Sequence, residues 1–249
     1  MVSGPLCVKV GPRQGKPWRA RRKGPKSLVM SIVDTSPTRD AVHPALWIMI
    51  AVMIGFELLF AAVDAGIAPE SLGRWPIYER LAFFDILFDR ARAGLGIEPR
   101  LVWSFLTHAF LHGGWLHLGM NGAAFLGLGH ALVRMIGIGR FLVIFAVTAI
   151  AGALTFGLVA ETNGPLVGAS GAIFGLFAVL TAWQERALRR AGRSRAMIWR
   201  RIGGLVVLNA ALAFGLGGLL AWQAHLGGWV AGWLLAGVFP PRHGPLRTF

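Results

Sequence analysis

The chain of 249 residues has a mean hydropathy of +0.60, with 55% hydrophobic and 14% charged residues and a formal net charge of +14. A water-soluble domain cannot hide that much apolar surface, so the composition points to an all-α membrane protein. The charge does not indicate nucleic acid, because the excess Lys and Arg follow a tail and the connections on one side of a membrane; the single cysteine, Cys7, excludes a disulfide framework within the chain and a multi-cysteine metal site.

Residues 1–43 hold nine of the basic residues and are rich in Pro and Gly. "KPWRARRKGPK" has no apolar run behind it and no small-residue cleavage site, so it is not a secretory signal. The segment reads as a disordered cytoplasmic tail that favours anionic lipid headgroups, with Met30 as a second candidate start. The first span, about 44–66, carries Glu57 at mid-depth. An ionisable residue there is a functional candidate by default, yet nothing in the sequence pairs it with other chemistry. The expectation is a structural role facing the bundle or a water pocket.

The long segment 67–107 mixes five arginines with five acids, and its stretch "RWPIYERLAFFDILFDRARAG" has no uninterrupted apolar run. It reads as an amphipathic element in the interface, with Trp75 and Tyr78 at headgroup level. Five further spans follow, at about 115–135, 139–160, 169–185, 202–221 and 225–240; against the roughly 20 residues a crossing needs, the last is short and the fourth reaches full length only if residues just before it dip into the membrane. Six crossings put the basic segments 134–140, 186–201 and 241–249 on the side of the N-terminus, while the outer connections "ETNGPLVG" and "AWQA" contain no Lys or Arg. Both termini are therefore expected in the cytoplasm of a multi-pass protein of a bacterial-type inner membrane. The six-span core runs 44–240, and 241–249 is a short basic tail.

Few polar side chains lie within the spans. Ser170 opens the fourth from the outer side, His225 the sixth, and His117 and Asn121 the second, on one helical face at i, i+4. Taken alone, Ser170 is equally a packing serine. Its depth-matched companions favour chemistry. A serine hydroxyl needs a base to become a nucleophile, and His225 is the base at matching depth. Gly168, Gly171 and Gly175 surround the serine, and Gly228 and Gly232 lie on the histidine's face, forming small-xxx-small surfaces that let the two helices touch. Attack on an amide also creates an oxyanion. The Asn121 amide, a His117 ring N–H and the Ser170 backbone N–H are its candidate donors. Beyond residue 99 the acids are Glu161 and Glu185, and neither is placed behind His225. The expectation is a Ser–His dyad with an imidazole oriented by packing. His108, His112 and His117 invite a zinc reading, but "HAFLH" lacks the glutamate of HExxH, so no metal is expected.

The stretches "HAFLHGGWLHLGMN" (108–121), "GASG" (168–171) and "AHLGGWVAG" (224–232), in this order on a six-span layout, resemble the rhomboid intramembrane serine proteases. The resemblance implies Ser170 as nucleophile, His225 as general base, and an oxyanion hole of His117, Asn121 and the Ser170 amide shaped by Gly168. It also implies cleavage of single-span membrane proteins near the outer face, with no cofactor. One departure is visible: the family often has Trp-Arg in the interfacial loop, and here Ser104 follows Trp103. That leaves the anchoring of the loop open. A silent relative that only binds transmembrane segments is an alternative, but this chain keeps both serine and histidine. A small transporter is a second, disfavoured because the polar cluster stops near the outer face. Substrate, oligomeric state and gating element (interfacial loop or the glycine-rich fifth span) stay open.

Overall fold

The computed structural model describes residue 1 and residues 41–162, 164–215 and 221–242, with the backbone alone at 212–215. Most of both predicted tails, and the "LGGLL" stretch at 216–220, lie outside the described residues. Among the described residues, six helices have 17 to 22 residues: α1 (Pro44–Asp64), α5 (Trp115–Ile136), α6 (Ile138–Val159), α7 (Ser170–Arg190), α8 (Ala196–Gly215) and α9 (Trp222–Val238). Three of them, α1, α5 and α6, are by themselves long and apolar enough to cross a membrane. The others depart for identifiable reasons. Arg186, Arg189 and Arg190 ride on the last turns of α7, Arg200 and Arg201 on the first turns of α8, and α9 has only 17 residues. The fourth and fifth elements are also displaced from their expected bounds: α7 continues to Arg190, and α8 begins six residues before 202.

Local chemistry sets several ends. Pro44 starts α1, with its fixed φ at a position where the missing N–H is no loss, and the His43 ring accepts from Ala45 N at 3.2 Å. Gly137, at φ 82°, ends α5 and begins α6 in a single residue, so the two helices return side by side. α7 packs against α5, α6, α8 and α9 and is the central helix. Its inner residues Ala172, Leu176 and Val179 join Phe125 of α5 and Phe141 and Phe145 of α6 in a buried core.

Segment 67–107 is not one amphipathic element. It folds as α2 (Arg74–Leu81), a two-residue strand β1 (Phe83–Phe84), α3 (Asp85–Arg92) and α4 (Pro99–Thr107). Phe83 is fully buried and its ring lies 4.9 Å from that of Phe105, so this segment has a core of its own that extends to Phe60 and Phe156. Trp75 is 56% exposed, whereas Tyr78, expected beside it at headgroup level, is buried, and its hydroxyl donates to the His112 carbonyl at 2.6 Å. The reason is Arg74. Its guanidinium makes two 3.0 Å bonds to the Glu57 carboxylate, a 2.6 Å bond to the His112 carbonyl, and covers the Phe60 ring at 4.6 Å. A forked guanidinium matches a carboxylate in this bidentate way, which satisfies the buried Glu57. Anchoring of the segment thus runs through Arg74 and Glu57, and Trp103 adds a bond from its indole N–H to the Arg80 carbonyl at 2.8 Å. Ser104 turns inward and bonds the Leu101 carbonyl.

The same segment holds the connection that leads into α7. Phe83 and Phe84 pair antiparallel with Leu166 and Pro165 of strand β2 (Pro165–Leu166). Asp85 accepts from Thr162 N at 2.8 Å, and Gly168 N donates to the His108 carbonyl at 3.0 Å.

α7 and α9 meet through their backbones. A Cβ on Gly228 would overlap the carbonyl oxygen of Gly171, and one on Gly232 that of Gly175. Gly171 lies against Ala224, whereas a Cβ on Gly175 would collide with Thr148 of α6 rather than with α9. The four glycines therefore divide their work: Gly228 and Gly232 let α9 onto α7, and Gly175 lets α6 onto it. Without lipid-excluded apolar gain between helices, this close van der Waals contact is what holds such helices together.

Candidate active site

Ser170 is the first residue of α7, and Ala169 caps it. Its backbone N–H therefore has no acceptor within the helix. The side chain is half-buried, and its Oγ lies 2.8 Å from Nε2 of His225 in the first turn of α9. His225 is 6% exposed. The Phe174 ring, one turn below the serine, stacks on the imidazole at 4.2 Å with an interplanar angle of 4°. Packing thus fixes the ring plane.

His117, three residues into α5, faces the same place. Its Nδ1 accepts from Gly113 N at 3.2 Å. An accepting Nδ1 means that the neutral ring carries its proton on Nε2, where it is a donor. That nitrogen lies over Gly168. The point a Gly168 Cβ would occupy is 2.8 Å from His117 Nε2 and 3.9 Å from Ser170 Oγ, and Gly168 has φ +114°. Both the space and the dihedral restrict this position to glycine.

The remaining donor expected from the sequence is Asn121. It is buried on the same helical face one turn from His117, but it is not one of the residues lining the cavity described below. Its Nδ2 donates to the His117 carbonyl at 2.9 Å, so one of its two amide hydrogens is committed to the helix; its Oδ1 has no partner among the described residues. His108 bonds the Ser104 carbonyl through Nδ1 at 2.9 Å, and burial pushes its pKa down to about 4. The buried His112 ring meets His117 edge-on at 5.1 Å.

Ser170, His225 and His117 open into a cavity of about 1430 Å³. Its other walls come from the 162–167 connection and the apolar faces of α8 and α9. A long apolar segment fits such a space better than a small polar solute does. The structure adds one residue that sequence reasoning missed. Asn209 of α8 places Oδ1 2.6 Å from Nδ1 of His225, the ring nitrogen facing away from the serine. A neutral amide in an otherwise apolar helix carries no charge to mark it as a partner for the histidine. Asn209 is nonetheless the hydrogen-bonding side chain that α8 brings to the cavity.

Residues 99–242, more than half of the chain, match the model of the Rhomboid domain. The chain is 33% identical over 138 residues to the rhomboid protease GluP of Bacillus subtilis (strain 168), covering 54% of this chain and 25% of that protein. It is 39% identical over 85 residues to the putative rhomboid protease YdcA of the same organism, covering 34% of this chain and 43% of that protein. Rhomboid-related protein 3 of Homo sapiens is 36% identical over 75 residues, 30% of this chain and 18% of its own. The chain thus spans less than half the length of each of these relatives. With a serine and two histidines gathered at the ends of apolar helices and a family model matched over most of them, the chain is a membrane protein that belongs to the Rhomboid family.

Proposed function

We propose that the chain is an intramembrane serine endopeptidase that crosses the membrane six times and cleaves single-span membrane proteins near the outer face. One observation carries the reading: a serine Oγ 2.8 Å from an imidazole nitrogen, at a cavity large enough for an unwound segment of polypeptide. As the Ser170 oxygen attacks the scissile carbonyl, His225 Nε2 takes its proton. The carbonyl oxygen becomes an oxyanion, stabilised by His117 Nε2–H and the Ser170 backbone N–H, with Asn121 as an outer donor. On collapse the C–N bond breaks, His225 returns its proton to the departing amine, and Ser170 is left acylated. Water, deprotonated by His225, then releases the acid and restores the serine. No metal or cofactor takes part.

The six-crossing count rests on α1, α5 and α6 together with α7 and α8, whose charges gather toward one end, and α9, which carries no Asp, Glu, Lys or Arg. The Arg-rich α7–α8 connection and both termini belong on the cytoplasmic side, in contact with anionic headgroups, with segment 67–107 in the outer interface. Residues 44–240 form the catalytic core. The test is purified protein in liposomes with a helix-destabilised model transmembrane substrate. Cleavage, resistance to chelators and labelling by a fluorophosphonate are the expected results. Ser170→Ala abolishes cleavage and labelling together. Turnover that survives Ser170→Ala overturns the mechanism.

A further inference from the structure

His225 has a partner on each of its nitrogens, and the far one decides what the near one can do. Nδ1 lies 2.6 Å from Oδ1 of Asn209 on α8. The orientation of that amide is set within α8, because Nδ2 donates to the Leu205 carbonyl at 3.0 Å, and a carbonyl can only accept. The atom turned toward His225 is therefore the oxygen, which also only accepts. Nδ1 must supply the proton of that bond. In a neutral imidazole this leaves Nε2 with its lone pair, aimed at Ser170 Oγ. Phe174 cannot make this choice. A stacked ring fixes the plane of the imidazole but is indifferent to which nitrogen holds the proton, and to a half-turn that exchanges nitrogens for carbons.

Resting on the protease reading above, we infer that Asn209 is a positioning residue for His225. It holds the tautomer in which Nε2 is the base, and it makes that tautomer conditional on α8 lying against α9. The placement is otherwise costly. The neighbouring α8 residues on the cavity wall, Ile202, Leu205, Val206 and Ala210, are apolar, and an amide among them is tolerated because oxygen and nitrogen both have partners. A residue that merely glued α8 to α9 would have no need to address the imidazole.

The experiment uses the full chain in liposomes with the model transmembrane substrate. Asn209→Leu is expected to lower kcat by about ten- to hundredfold, the range of one buried hydrogen bond, with KM within about twofold. Fluorophosphonate labelling slows by a similar factor. Asn209→Asp keeps an accepting oxygen and retains turnover within about tenfold of the unmodified protein. Ring ¹⁵N spectra of histidine-labelled protein, with His225 assigned by its loss in His225→Gln, show the Nδ1–H form in the unmodified chain and a tautomer mixture in Asn209→Leu. Unchanged kcat or an unchanged tautomer in Asn209→Leu overturns the inference. If that variant does not fold, Asn209→Ala is read by the same two measurements. The spectra do not depend on turnover. A protein that neither cleaves nor labels, yet loses its single tautomer on substitution, therefore refutes the protease reading and leaves the tautomer assignment standing.

Discussion

The starts of α5 and α9 each aim one histidine at the cavity, and the two are wired in opposite senses. At His117 a backbone N–H, that of Gly113, donates to the far nitrogen, so the near one is a donor. At His225 an amide oxygen, that of Asn209, faces the far nitrogen, so the near one is an acceptor. Residue type is the same, both rings line the same cavity, and their hydrogen-bonding senses are reversed by a single partner on the remote side of each ring. A histidine in a membrane site is thus defined less by where it points than by what stands behind it.

One substitution made at both positions breaks this comparison most sharply. Glutamine can donate a hydrogen bond but cannot serve as a base at neutral pH. His225→Gln is therefore expected to cost about 10⁴-fold or more in single-turnover cleavage. His117→Ala, which removes a donor, is expected to cost on the order of a hundredfold in kcat. Gly168→Ala should follow. It forces a left-handed conformation and presses a methyl group onto the His117 ring, so a loss of about 1–3 kcal/mol in thermal stability and about tenfold in kcat is expected, with the donor rather than the base disturbed. His117→Gln restores a donor and should remain within about tenfold of the unmodified protein. The smallest effect is expected for Asn121→Ala, a few-fold slowing at most, because its amide is partly committed to the His117 carbonyl and it lies off the cavity wall. A hundredfold loss there would move the oxyanion site deeper along α5. Equal losses for glutamine at 117 and 225 would erase the distinction between the two rings.

The legible parts of the molecule were those written in spacing. The apolar runs at 44–66, 115–135 and 139–160 lie within two residues of α1, α5 and α6, and Ser170, His117 and His225 each stand in the first turn of a helix, where the sequence puts them. What stayed hidden was pairing across long gaps. Nothing in the sequence ties Glu57 to Arg74, because the two meet only after the intervening loop doubles back, and that ion pair is what turned Tyr78 inward. The β1–β2 ladder joins two dipeptides more than 80 residues apart, too short to carry a periodic signature. Asn209 was missed for a chemical reason. It acts through one lone pair in an otherwise apolar helix, and an amide there looks the same whether it addresses a ring or its own backbone.

Because Gly228 and Gly232 rest directly on the carbonyls of Gly171 and Gly175, no side chain separates the two helices at these two contacts. Ser170 and His225 consequently sit on helices whose separation is set by backbone contact. Warming or thinning of the surrounding lipid should leave turnover intact up to a threshold and then extinguish it abruptly, rather than wearing it down by degrees.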